Sequence, residues 1–124
     1  MSEAEKALER VREFCQGLPE TVERPSHGAP TFFAGGKKTF VMFHDDHHGD
    51  GRLALWCAAP PGMQLGLVEA TPDVYFVPPY VGHRGWVGVR LDRGAPWDEI
   101  AGVLEEAFLE RAPKSLRAKV SDTL

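Results

Sequence analysis

Two one-sided helical patterns bracket a run of short strand patterns, and this arrangement limits the architectures open to the chain. In the first, Ala4, Ala7, Leu8, Val11, Phe14, Cys15 and Leu18 recur at helical spacing, while Glu5, Glu9, Arg12, Glu13 and Gln16 fill the opposite side. Ser2-Glu3-Ala4-Glu5 fits a capping box at its start, and Gly17 and Pro19 end it. In the second, Trp97, Ile100, Ala101, Leu104, Ala107 and Phe108 form the stripe; Pro96 opens it, Asp98 and Glu99 suit the positive end of the dipole, and Pro113 stops it. Pro113 to Val120 allows one or two further turns. A helix apolar on one side only needs a single surface to cover.

The strands between them supply that surface. Thr31-Phe32-Phe33 reads as a short strand, Ala34-Gly35-Gly36-Lys37 as a tight turn, and Thr39 to His44 as the returning strand, with Phe40 and Met42 opposite Val41 and Phe43. Leu53 to Ala58 is apolar almost throughout, as for a central strand. Met63, Leu67 and Ala70 allow a short helix before Pro72. Pro19 to Pro30, with its prolines, reads as a connector. The expected order is α-β-β-β-α-β-β-α: an α+β fold of two layers, with an antiparallel sheet and helices on one face. At 124 residues the chain is expected to form a single domain, 1–124.

Val74 to Arg93 carries the densest set of candidate site residues. Pro78 and Pro79 stiffen a loop that Gly82 and Gly85 let turn, and the loop holds Tyr80, His83 and Arg84. From Trp86 the residues alternate: Val87, Val89 and Leu91 face the core, and Trp86, Gly88, Arg90 and Asp92 face the other way. The sheet's front is expected to be bare, with Trp56, Trp86 and Arg90 on it and Gly88 leaving a gap between indole and guanidinium. Such a face suits a partner, an anionic small molecule, a protein or a second copy of the chain.

The formal charge of −4 excludes a generic polyanion binder, so any nucleic-acid contact needs a local patch. Lys37 and Lys38 at a hairpin tip, and the acid-free segment Arg111 to Lys119, are the basic candidates. His44-Asp45-Asp46-His47-His48-Gly49-Asp50-Gly51 is rich in metal-ligating types, but it reads as turn chemistry and no metal or other cofactor is expected. Cys15 and Cys57 lie in apolar patterns, where thiols are inert, and no nucleotide-binding or nucleophile-elbow motif occurs; the residues point away from an enzyme. No leader and no run of membrane-spanning length is visible, so a cytoplasmic location is expected.

Gly17-Leu18-Pro19-Glu20-Thr21-Val22-Glu23, Gly28-Ala29-Pro30-Thr31-Phe32-Phe33, Gly36-Lys37-Lys38-Thr39-Phe40, Pro79-Tyr80-Val81, Arg84-Gly85-Trp86-Val87-Gly88-Val89 and Trp97-Asp98-Glu99-Ile100 occur in an order that resembles the MmcQ/YjbR family of small bacterial proteins. The resemblance runs over nearly the whole chain. It implies the two-layer α+β fold, likened to secretion chaperones and to the double-wing DNA-binding fold, and it implies DNA binding. Read from their own chemistry, the residues expected to bind nucleic acid or another ligand are Lys37, Lys38, Tyr80, His83, Arg84, Trp86 and Arg90. The chain departs from the pattern where His83 and Gly85 flank Arg84, and where Ala107-Phe108 replaces a Ser-Tyr pair. It has no asparagine, which excludes the Asn-His-Asp chemistry of the formyltransferases after which some relatives are labelled.

Overall fold

The structure, a computed structural model, describes residues 1–123, with side-chain surroundings as far as Val120. Helix α1 (Glu3–Gln16) starts at the capping box: the Ser2 hydroxyl accepts from the Glu5 amide at 3.1 Å, and the Glu5 carboxylate accepts from the Ser2 amide at 3.2 Å. Strands β1 (Thr21–Ser26), β2 (Ala29–Ala34), β3 (Lys38–Asp45) and β4 (Leu53–Cys57) follow, then α2 (Met63–Ala70), β5 (Tyr75–Phe76), β6 (Val87–Arg90), α3 (Trp97–Arg111) and α4 (Lys114–Thr123). The strands form one antiparallel sheet in the order β1-β2-β3-β4-β6-β5.

The fold class is the expected one, with one strand more than the sequence suggests. The connector from Pro19 to Pro30 contains β1, which pairs with β2 from Thr21↔Ala34 to Ser26↔Ala29. Pro25 lacks an amide to donate, and β1 is an edge strand, the one place where that loss is cheap.

Register separates the two faces. Phe32, Val41, Phe43, Leu53, Leu55, Cys57, Val87, Val89 and Tyr75 share the back face. There α1 is tied to β1 by the Arg12–Glu23 pair, with both nitrogen–oxygen contacts at 2.8 Å. Helix α3 is tied by the Tyr75 hydroxyl, which donates to Glu99 at 2.6 Å. Phe40 breaks the expected alternation. Phe32 pairs with Val41 but Phe33 with Thr39, so Phe40 is the extra residue of a bulge. It joins Val41 on the helix side, where its ring meets Phe108 of α3 edge-on at 5.5 Å. The front face carries Thr31, Phe33, Met42, His44, Ala54, Trp56, Gly88, Arg90 and Phe76.

No helix among the described residues is long and apolar enough to cross a membrane.

Candidate nucleic-acid interface

The front face is not bare, and the expected display of indoles is corrected: Trp56 and Trp86 are each 3% exposed. The gap at Gly88 is filled by Phe76, whose Cζ lies 2.3 Å from where a Gly88 Cβ would stand. Arg52 in turn covers Phe76, its guanidinium carbon 4.1 Å from the ring centroid. Arg90 is no free anion anchor either. Both Asp92 oxygens accept from it at 3.0 Å, and this pairing raises the Arg90 pKa and lowers that of Asp92. The distances are those of a bidentate, charge-assisted pair, which leaves little for a ligand.

The segment from Val77 to Trp86 is a rigid strap. The Val81 and Gly82 amides donate to Pro79 and Pro78, and Gly85 closes a 3-10 turn over Gly82–Arg84 with φ at 85°. Gln64 of α2 pins it by donating to the Gly82 carbonyl at 2.8 Å and to the Trp86 carbonyl at 2.6 Å. Gly82 has no room for a side chain, because a Cβ there would meet Val77 at 2.5 Å. The strap holds Tyr80, His83 and Arg84 exposed.

Arg84 lies over the buried Trp86 ring at 5.4 Å. It also stands near Arg111 at the end of α3. Arg111 donates through Nε to the Thr39 carbonyl at 2.9 Å, next to Lys38. Burial lowers the Arg111 pKa, and repulsion from Arg84 lowers it further, against a weaker opposing pull from Glu110. The hairpin tip belongs to the same end of the sheet. Gly35 rests against Leu116 and Pro113, Arg24 donates to the Gly36 carbonyl at 3.0 Å, and Lys37 and Lys38 are exposed. Exposed Lys114 and Arg117 open α4 beside Pro113. Glu20, also at this end, faces Lys119 at 3.3 Å. The arrangement is a local concentration of positive charge in a chain of net negative charge.

A second cluster occupies the middle of the front face. Cross-strand neighbours on β3 and β4 bring the His44 and Trp56 rings to 3.8 Å. The turn after β3 folds His47 back, 4.7 Å from each of them, and Tyr80 of the strap reaches over to 6.0 Å from His47 and 6.3 Å from Trp56. His44 Nε2, His47 Nε2 and Trp56 Nε1 are buried without a hydrogen-bond partner among the described residues. Burial, reinforced by His47 and His48 and opposed by Asp50, pushes His44 down to about 4, so its imidazole is neutral at neutral pH. The nearby carboxylates close the turn: Asp46 accepts from the Gly51 amide at 2.7 Å and Asp50 from the Arg52 amide at 2.9 Å. Among the described residues, no group of His, Cys, Asp or Glu side chains is assembled to hold a metal ion.

A family model described as YjbR matches residues 16–110. The chain belongs to the YjbR family. Among solved structures it is similar to Deinococcus radiodurans protein DR2400, whose domain is described as DUF419: the two are 19% identical with a TM-score of 0.73, over 92% of this chain and 87% of that one. At that identity the likeness shows the fold. No curated protein matches the chain.

In this YjbR chain the sequence-expected site residues divide into three groups. Lys37, Lys38 and Arg84 lie at the basic end. Tyr80 belongs to the imidazole–indole cluster, and His83 is exposed on the strap. Trp86 is a buried support for Arg84, and Arg90 is bound to Asp92. The sequence places Trp56 on the front face and groups His44 with His47 in a ligand-rich turn, but does not join the imidazoles to Trp56 and Tyr80, nor Arg24 and Arg111 to the hairpin lysines. The acid-free run from Arg111 was a signal for that residue; the rest required strand register. Cys15 and Cys57 are buried, and burial raises both thiols, Cys15 to about 12, which leaves neither as a nucleophile. A cleft of about 510 Å³ lies elsewhere, between α1 and Trp97. Its walls mix Glu3, Glu9 and Glu13 with Lys6 and Arg10, so it favours no single sign of ligand.

Proposed function

We propose that the protein binds DNA through the basic end of its sheet, with Lys37, Lys38, Arg84 and Arg111 on the phosphates. The observation that carries this reading is the gathering of cations at one end of the sheet: Arg111 is bonded to the Thr39 carbonyl at 2.9 Å, next to exposed Lys38 and Lys37. Repulsion between Arg84 and Arg111 supports it, because an anion between two guanidinium groups relieves that repulsion. The hairpin lysines extend that charge along a wing-like projection, as the family's double-wing likeness implies. The overall charge of −4 confines the attraction to this end. The other use of the front face, as a small-ligand or protein-interaction surface or a homodimer contact around Tyr80, Trp86 and Arg90, has weaker support, because Trp86 is buried and Arg90 already has its anion.

Fluorescence anisotropy with labelled DNA over a range of salt tests the proposal. With roughly four phosphates neutralised, log K falls with log salt at a slope of about −3 to −4. Arg84→Gln with Arg111→Gln flattens that slope. Absence of binding at low salt, or a slope unchanged in the double variant, removes the proposal.

A further inference from the structure

We infer that Tyr80 is a stacking platform for an unpaired base, so that the DNA taken up is single-stranded. The inference rests on the DNA-binding reading above and names the form of the strand. Tyr80 is 69% exposed although its ring sits against the cluster over Trp56. Its backbone is left-handed, with φ at 66°. That conformation is unfavourable for a tyrosine and free for a glycine, so the chain presents an aromatic ring here at a conformational cost. The turn that carries His47 is also left-handed at Asp46 and His48, with φ at 60° and 49°. The His47 and His48 rings are 4.1 Å apart, and His48 is exposed. His47 stands edge-on to both, at 68° to His48 and 85° to Tyr80, so the face open to a base is that of Tyr80 alone.

The platform and the cations share one rigid strap. Arg84 follows Tyr80 by four residues, so their backbones are at most about 14 Å apart. A strand that places phosphates on Arg84 and Arg111 therefore brings a neighbouring base within reach of Tyr80. Bases in a duplex are stacked inside and offer no face to a ring; those of a single strand do, and stacking on aromatic side chains beside a positive groove is how such strands are held.

The test measures anisotropy of a short labelled oligodeoxynucleotide and of its duplex at low salt, with the intact chain, Tyr80→Gly and Tyr80→Phe. Glycine removes the ring and relieves the left-handed backbone, so loss of binding is not loss of folding. The single strand is expected to bind about tenfold more tightly than the duplex. Tyr80→Gly should cost the single strand about tenfold more than it costs the duplex, and Tyr80→Phe should retain most of the affinity. A duplex bound as tightly as the single strand, or an equal loss on both in Tyr80→Gly, overturns the platform and leaves DNA binding standing. Binding of neither form overturns both.

Discussion

The two faces of β4 are built to opposite rules. Behind it, Leu55 and Cys57 are wholly enclosed, and the polar groups that bridge sheet and helices are matched: Arg12 with Glu23, and Tyr75 with Glu99. In front of it, Trp56 is nearly as buried, yet its indole nitrogen and two neighbouring imidazole nitrogens have no partner, and the turns that cover them hold Asp46, His48 and Tyr80 in left-handed conformations. Burial alone does not distinguish the faces. Around β4 satisfaction does: an unpaired buried polar atom costs about 1–3 kcal/mol, and behind the sheet the one such side-chain atom among the described residues, Thr21 Oγ1, lies away from β4 on the edge strand β1. The back face is organised for stability, while the front carries costs that stability does not explain.

Four measurements can break or sharpen that contrast. Phe108→Ala empties the edge-on contact with Phe40 behind the sheet and should cost about 3–5 kcal/mol in urea unfolding, the largest effect expected. A cost no larger than that of a front-face change would erase the contrast. Gly88→Ala forces the Phe76 ring off the front and should cost about 1–3 kcal/mol, because the new methyl group meets ring atoms at under 3 Å.

The third measurement is a pH profile. Above pH 6.5 His44 is neutral folded and unfolded. As pH falls towards about 4, the unfolded chain takes up a proton that the folded chain refuses, so stability declines across that window and levels off below it. Discounted for the solvent that reaches a half-buried ring, the decline is about 1–2 kcal/mol. The difference between the intact chain and His44→Phe isolates it from the carboxylates, and parallel profiles would count against the buried, unpartnered imidazole. Smallest, Tyr80→Gly should gain up to about 1 kcal/mol in thermal or urea unfolding by releasing a left-handed tyrosine. A loss would mean that the ring is a structural prop.

The parts legible in the sequence were those governed by local rules. The capping box at Ser2, the proline-opened start of α3 and the one-sided stripes of both helices need only a turn or two of chain. β1 was hidden because Pro25 argues against a strand until its edge position is known. Phe40 was misassigned because a strict period of two has no place for an extra residue. At the site, Lys37, Lys38, Tyr80 and Arg84 were visible as exposed types on turns. The partners of Trp86 and Arg90 were not, because only folding decides that Arg84 covers one and Asp92 binds the other. Arg111 stood out as a cation, but nothing local sets it against Arg84.

The bulge at Phe40 adds one side chain to the helix side of β3 without changing the face of any other. Deleting that residue makes Phe33↔Thr39 and Phe32↔Val41 consecutive pairs, so Val41 and Phe43 still face the helices and Met42 and His44 still face forward. What goes is the ring against Phe108. One codon therefore supplies aromatic filling behind the sheet, and its frame-preserving loss would be felt by the helix layer and not by the imidazoles.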